Sequence, residues 1–346
     1  MTNGQASGDS AHGSAPGEER QAGGAPGPRL GVVRTALAVM RRDGGRLYGR
    51  AASVAGLAAL GGLLVTVVGF LAAWPAFTEI RRGAVQARPD EDSYAPDGSL
   101  VNTMWLILLA CLPVLILLLH MGCAAIQTAA TRAAGGEHGR FRTVLGVYVL
   151  RGVLVWAPLV IGILVEEYFT TTTFREYTAI VPKWEYPNLF VLLRYGPPLL
   201  GLALTLLLRF GWALAPATAA TEGLAPWAAM RRSWSLVRGG AGAWFRTVAV
   251  TLPLAGLTVG MYVLLQFLAR PLRPGTVSLF LKWGPDNTYA AYVAGLLAPI
   301  AVALLPTGAL ALPPAHTVLA VLHRRLAGRS PGRDRRSDLT AGAARS

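Results

Sequence analysis

Met104–Thr128 reads MWLILLACLPVLILLLHMGCAAIQT, twenty-five residues with one histidine and no Asp, Glu, Lys or Arg. The hydrocarbon core of a bilayer is roughly 30 Å thick and takes about 20 apolar residues as helix. This stretch is long enough to cross it. Five further blocks share the pattern: Ala51–Trp74, Val144–Val165, Tyr195–Ala217, Thr247–Ala269 and Ala290–Leu312. A soluble protein can bury one such helix, but not six in a single chain. Backbone polar groups in lipid must be satisfied within the segment, which leaves helix as the form these blocks take. The expected fold is therefore all-α, a polytopic integral membrane protein of about six transmembrane helices.

Composition agrees. The 346 residues are 53% hydrophobic and only 14% charged, against about 25% charged in a soluble domain. The net charge of +14 invites a nucleic-acid reading, and the placement of the charges argues against it. With the N-terminus inside, 21 of the 32 Lys and Arg residues fall in inner segments, eight in outer loops and three in or beside the helices. That is the positive-inside distribution. It suits anionic inner-leaflet lipid rather than nucleic acid. One outer loop collects Asp90, Glu91, Asp92 and Asp97. Cys111 and Cys123 stand twelve residues apart on one predicted helix, too far to bridge each other. They read as small buried thiols.

The chain divides into three parts. Residues 1–29 are rich in Gly, Ala and Ser, lack a signal-peptide core, and read as a disordered cytoplasmic tail. Residues 30–325 form the six-helix membrane domain, and 326–346 a disordered basic cytoplasmic tail. Within the domain, Leu30–Arg50 is a basic amphipathic lead-in expected to lie along the inner surface. After Pro313–Pro314 a short separate helical stretch to Arg325 is expected. The four residues TAAT occur at Thr128–Thr131 and again at Thr218–Thr221. Each copy ends an inward-running span, which raises the possibility of a duplicated hairpin.

Between the fourth and fifth blocks lies TEGLAPWAAMRRSWSLVRGG, Thr221 to Gly240. Pro226 suits the first turn of a helix. At 100° per residue, Trp227, Met230, Trp234 and Val237 share one face, bordered by Arg231 and Arg238, with Arg232 off it. Tryptophan favours the headgroup level, and arginine turns its charge toward phosphate. The ribbon is expected to be an interfacial cytoplasmic helix. Its Trp–Arg pairs stand at i,i+4 spacing, which allows cation–π contacts. It acts either as an ordinary anchor or as a specific site for anionic lipid or a protein partner, using Trp227, Arg231, Arg232, Trp234 and Arg238.

The longer stretch Leu214–Thr247, LAPATAATEGLAPWAAMRRSWSLVRGGAGAWFRT, resembles the signature of a membrane-domain family. That family is found fused to some glycerophosphodiester phosphodiesterases and in free-standing bacterial membrane proteins of unknown function. The matching residues are Ala215, Pro216, Glu222, Gly223, Ala229, Arg231, Arg232, Ser233, Trp234, Leu236, Val237 and Gly239. The resemblance implies a six-helix layout over Leu30–Arg325 and a bacterial plasma membrane; the charge distribution and the six spans place both termini on the cytoplasmic side. It does not imply phosphodiesterase activity, because that belongs to a separate barrel domain and its His-Arg-Gly start is missing from these residues. The family often ends its last span with a Leu-Tyr-x-Asp-Leu-Arg-like run. Here the region reads LAVLHRRLAGR, Leu319–Arg329, without Tyr or Asp.

Inside the predicted membrane region, His120, Arg151 and Arg209 each fall about 10–12 Å from the inner boundary at 1.5 Å per residue. Buried ionisable groups are costly and face the bundle interior or water. Two cations and a histidine at one depth form an intramembrane polar cluster able to hold an anionic headgroup. The competing reading is that each arginine snorkels separately to the interface. Glu166 and Glu167 are placed to pair with Arg194 across the outer hairpin. His316 and His323, among arginines near the inner surface, read as solvated. His120 and Cys123, at i,i+3, find no third ligand, so neither a metal nor a cofactor is expected. No Walker loop, GxGxxG, GxSxG or HExxH is present. The expected function is non-enzymatic: a lipid-interacting or scaffold module contacting anionic inner-leaflet lipid, with a cytoplasmic or membrane protein as a further partner. The alternative is a component of a transporter or exporter for a lipid-like or peptide substrate. Asp and Glu are missing from the middle of every span, which disfavours proton coupling.

Overall fold

The computed structural model describes residues 31–86, 98–136, 139–173, 188–283 and 287–328. The acidic loop residues Asp90–Asp97 and nearly all of the two tails lie outside these. Among the described residues there is no strand, and the chain forms nine α-helices. They are α1 (Val32–Gln86), α2 (Gly98–Ala133), α3 (Phe141–Tyr168), α4 (Asn188–Gly211), α5 (Ala215–Glu222), α6 (Pro226–Arg238), α7 (Ala241–Ala269), α8 (Leu272–Trp283) and α9 (Thr288–Ala327). A π-helical turn, Phe169–Thr173, closes α3. Six spans are long and apolar enough to cross a membrane: those in α1, α2, α3, α4 with α5, α7 and α9. The chain is an all-α polytopic membrane protein.

Six crossings bring the start of α1, the α2–α3 turn, α5, α6 and the end of α9 to one side. Arginines concentrate there, and it is called the basic face below. Contacts tie it together. Arg42 Nη2 donates to the Ala133 carbonyl at 2.9 Å, and the Arg324 guanidinium donates to the Ala134 carbonyl. These two arginines satisfy carbonyls that the end of α2 leaves without helical partners. Arg325 Nη2 donates to Thr35 Oγ1 at 2.7 Å, joining the end of α9 to the start of α1.

Helix α9 is the hub, packing on α1, α2, α5, α7 and α8. At the far face its N-terminus is fixed by Asn287, which is buried. The Asn287 side-chain oxygen accepts from the backbone N–H of Tyr289 and Ala290 at 3.2 and 3.1 Å. This is a satisfied N-cap. The helix does not stop at Pro313–Pro314, as the sequence suggests, but runs unbroken to Ala327. Prolines are tolerated in membrane helices where packing re-satisfies the backbone. Just beyond them Thr317 Oγ1 makes a side-chain bond to the Pro313 carbonyl at 2.8 Å.

The lead-in also differs from expectation. Leu30–Arg50 was expected to lie along the surface, yet Val32–Gln86 is one helix of 55 residues. Ala36 is buried against Val318 and Val321 of α9, and Leu47 against Ala129 and Ala130 of α2. Ala36 and Leu47 are thus covered by protein, while Val33 and Leu37 stay exposed.

Small residues set how closely the helices approach, as is common where lipid offers no hydrophobic drive between them. The α3–α4 hairpin is built on a reciprocal pair. A side chain at Gly162 would strike the Pro197 carbonyl, and one at Gly201 the Pro158 carbonyl and Leu159 Cα. Each glycine lets the opposite proline-containing backbone approach. On the far side Glu166 accepts from Thr170 Oγ1 at 3.1 Å, and the Arg194 guanidinium lies 5.9 Å from the centroid of the Tyr195 ring.

Gly201→Leu should therefore force α3 and α4 apart and cost about 1–3 kcal/mol, the usual range for overpacking. Gly256→Leu is the control, because a Cβ there meets nothing within 4 Å. Thermal unfolding of both variants in detergent checks this. Equal melting temperatures would contradict the close contact.

Candidate functional site at the basic face

Two groups of residues meet near the basic face. The first is a buried junction that absorbs most of the quoted motif. Helix α4 ends at Gly211, and α5 begins after the short turn Trp212–Leu214. A side chain at Gly211 would overlap the Trp234 ring, so glycine lets that indole lie against the α4 backbone. Ser233 Oγ donates to the Gly211 carbonyl at 3.0 Å, satisfying a terminal carbonyl of α4. Pro216 sits in the first turn of α5, where its missing N–H is not needed. Gly223 closes α5 with φ +65°, a left-handed conformation that favours glycine. Gly239 is the C-cap of α6 at φ −60°, which any residue adopts.

Glu222 and His323 form the polar centre of this junction. His323 is 2% exposed. Its Nδ1 is 3.2 Å from Thr221 Oγ1 and its Nε2 is 3.2 Å from Glu222 Oε1. Glu222 Oε2 lies 3.5 Å from Arg232 Nε. One carboxylate thus joins α5, α6 and α9. The expectation of solvated histidines is corrected here. His323 and His316, the latter 6% exposed, are both buried because α9 continues straight beneath α5. The two TAAT copies also meet in this region: a side chain at Gly136 would touch both Thr131 and Thr221.

Helix α6 does not present the face read from its sequence. Met230 is 1% and Val237 0% exposed, and with Ala229, Ser233 and Leu236 they turn into the protein. Trp234 is half-buried against Gly211, 6.2 Å from the Trp212 ring centroid. The outward stripe is Trp227, 54% exposed, with Arg231 and Arg238. The apolar face was assigned to lipid, but tertiary packing against α3, α4 and α5 claims it. The Arg238 guanidinium rests 5.1 Å from the Trp234 ring centroid. It borders a cleft of about 290 Å³ lined by Leu207, Trp234, Val237, Ala241 and Trp244.

The second group is deeper. The His120 ring lies over the α3 backbone at Gly152, where a Cβ would come within 2.8 Å of it. His120 stacks on Tyr148 at 6.3 Å between centroids. The Tyr148 hydroxyl reaches His316 Nε2 at 3.4 Å. His316 Nδ1 is buried without a hydrogen-bond partner. Arg151, one turn beyond Tyr148, lies within electrostatic reach of Tyr148, Cys123 and Arg209, and His120 and His316 feel its charge. Of the sequence triad, His120 and Arg151 share this region with Tyr148 and His316. Their signal was only that Tyr148 stands three residues before Arg151. Arg209 lies in the last turn of α4 and is exposed, where helix-terminal carbonyls favour a cation. Arg151 is half-buried, and no carboxylate pairs with it among the described residues. Nor do three His, Cys, Asp or Glu side chains converge there to hold a metal ion.

No family model matches the chain, and no curated protein or solved structure does either.

The junction predicts a graded result. Glu222→Ala removes the acceptor of buried His323 and the partner of Arg232, and should cost about 1–3 kcal/mol. Glu222→Gln keeps an acceptor oxygen and should cost about half as much. Thermal unfolding in detergent reads both, and a Glu222→Ala protein as stable as the parent would refute the assignment.

Proposed function

We propose that the chain is a non-enzymatic membrane module that holds anionic lipid at its basic face, taken as cytoplasmic from the charge distribution. The observation that carries this reading is Arg151. A guanidinium half-buried among α2, α3, α4 and α9 needs a negative partner or water. No side chain described here supplies one, and Arg209 adds a second positive charge. A lipid phosphate entering beside Arg209 answers both charges, with His120 as a further donor. Around it, Trp227, Arg231 and Arg238 on the outward stripe of α6 lie at headgroup level, and the small cleft beside Arg238 accepts part of a headgroup. Arg232 is engaged by Glu222 and takes no share. The reading fits the proposed membership in the membrane-domain family resembling Leu214–Thr247.

The test is lipid retention by the full chain in nanodiscs of phosphatidylcholine with graded phosphatidylglycerol, read by native mass spectrometry. Arg151→Leu should weaken phosphatidylglycerol retention by about ten- to a hundredfold, the worth of a charge-assisted hydrogen bond. Arg151→Lys should restore part of it. Retention equal in the parent and Arg151→Leu proteins would overturn the proposal and leave Arg151 as a group that only reaches the interface.

A further inference from the structure

The turn from α6 into α7 reads Arg238-Gly239-Gly240-Ala241-Gly242. It opens on the cleft of about 290 Å³ at the basic face, whose lining includes Leu207 of α4, Trp234 and Arg238 of α6, and Gly240, Ala241 and Trp244 where α7 begins. Packing fixes its walls. The Trp234 ring is seated on Gly211, and the Trp244 ring meets Phe210 edge-on at 6.4 Å between centroids. The cleft is therefore formed before any ligand arrives, which lowers the cost of binding.

Positive charge lines this cleft and the protein supplies no anion to meet it. The Arg238 guanidinium rests on the Trp234 ring at 5.1 Å from its centroid. A guanidinium stacked by its face keeps the N–H groups at its edge for other acceptors. No ion pair or hydrogen bond engages Arg238 among the described residues. Across the cleft, the N-cap residue of α7 is Gly240, and no side chain caps the helix. The backbone N–H groups of Ala241 and Gly242 meet no acceptor among the described residues. Such groups give a helix start about half a positive charge. A Cβ at Gly240 or Gly242 would meet nothing within 4 Å, so a ligand reaches this backbone unobstructed. The chain holds no Asp or Glu from Gly223 to Pro285, so neither α6 nor α7 carries a carboxylate of its own.

We propose that this cleft binds one phosphate group, held between the Arg238 guanidinium and the N–H groups of Ala241 and Gly242. The proposal rests on the reading of the basic face as the side turned to headgroups, and it makes the cleft a site of its own, apart from Arg151. Two kinds of donor meet one anion: a planar fork that matches phosphate oxygens and the start of a helix. Leu207 and Trp244 give the rest of the cleft an apolar wall. That wall suits the glycerol and first methylenes of a phospholipid, so the phosphate is that of a lipid rather than of a free ion.

The test uses the full chain, with isotope-labelled glycine, in a neutral maltoside detergent at physiological salt. It is titrated separately with inorganic phosphate and with dihexanoyl phosphatidic acid. The amide resonances of Gly240 and Gly242, assigned through Gly240→Ala and Gly242→Ala, are followed by NMR. Both should shift saturably with the lipid, at lower concentration than with inorganic phosphate. Arg238→Gln should raise the half-saturating concentration by about tenfold, the worth of a hydrogen bond to a charged group. Ala241→Pro removes one N–H at the first position of a helix, where proline is tolerated. It should raise the half-saturating concentration by a similar factor, whereas Ala241→Ser keeps the N–H and should bind as the parent does. Arg246→Gln removes the same charge from an exposed residue outside the cleft. It should also bind as the parent does, since salt screens charges at a distance. Arg151→Leu should leave the two glycine shifts in place, which separates this result from the fate of the Arg151 reading. A shift with inorganic phosphate alone would support the phosphate site and overturn its assignment to lipid. No shift with either probe, or equal half-saturation of the parent, Arg238→Gln and Ala241→Pro proteins, would overturn the proposal.

Discussion

A permanent cation inside a helical membrane packing constrains everything around it. Arginine stays protonated, so Arg151 cannot shed its charge to suit its surroundings. Carrying it at half-burial requires donors and acceptors arranged within reach. The neighbouring residues follow from that need. Gly152 removes a side chain so that the His120 ring can lie on α3. Tyr148, one turn earlier, links His120 by stacking to His316 by its hydroxyl. Helix α9 must run past Pro313–Pro314 without stopping for His316 to reach this place. The same continuity carries His323 onward to Glu222 and Thr221. The polar cluster and the buried junction are two stations along one uninterrupted helix.

The six spans were legible because membrane insertion is decided by local composition. Met104–Thr128 needs no tertiary knowledge to be read as a span. Positions where packing overrides local pattern were not legible. The face of α6 was assigned by periodicity, and periodicity was right that Met230 and Val237 share a side. It could not say whether lipid or protein covers that side. His316 and His323 looked solvated because their sequence neighbours are arginines, yet their spatial neighbours are Tyr148, Thr221 and Glu222. The end of α4 at Gly211 escaped notice because the apolar run continues through Trp212, Ala213 and Leu214. Only the Trp234 ring seated on Gly211 explains it.

Glycine, alanine and proline do much of the positioning. The α3–α4 pair uses Gly162 and Gly201 against opposing proline backbones, and Gly211 admits an indole. The α1–α2 contact is similar: a side chain at Gly122 would press Val54, and one at Gly69 the Cys111 sulfur. Where small residues line up but no side chain fills the space, as along Ala51–Gly62 opposite Ala298 and Gly308, the same economy leaves a groove instead of a contact.

The central claim is that the charge of Arg151 is completed by an anion from outside the chain. An electron cryomicroscopy structure of the full chain in phosphatidylglycerol nanodiscs tests it most directly. The account predicts phosphate density with an oxygen about 2.7–2.9 Å from the Arg151 guanidinium, the distance of a charge-assisted hydrogen bond, and Arg209 on its other side. A guanidinium turned to the interface alone, with no headgroup between α3 and α4 at the basic face, would contradict it.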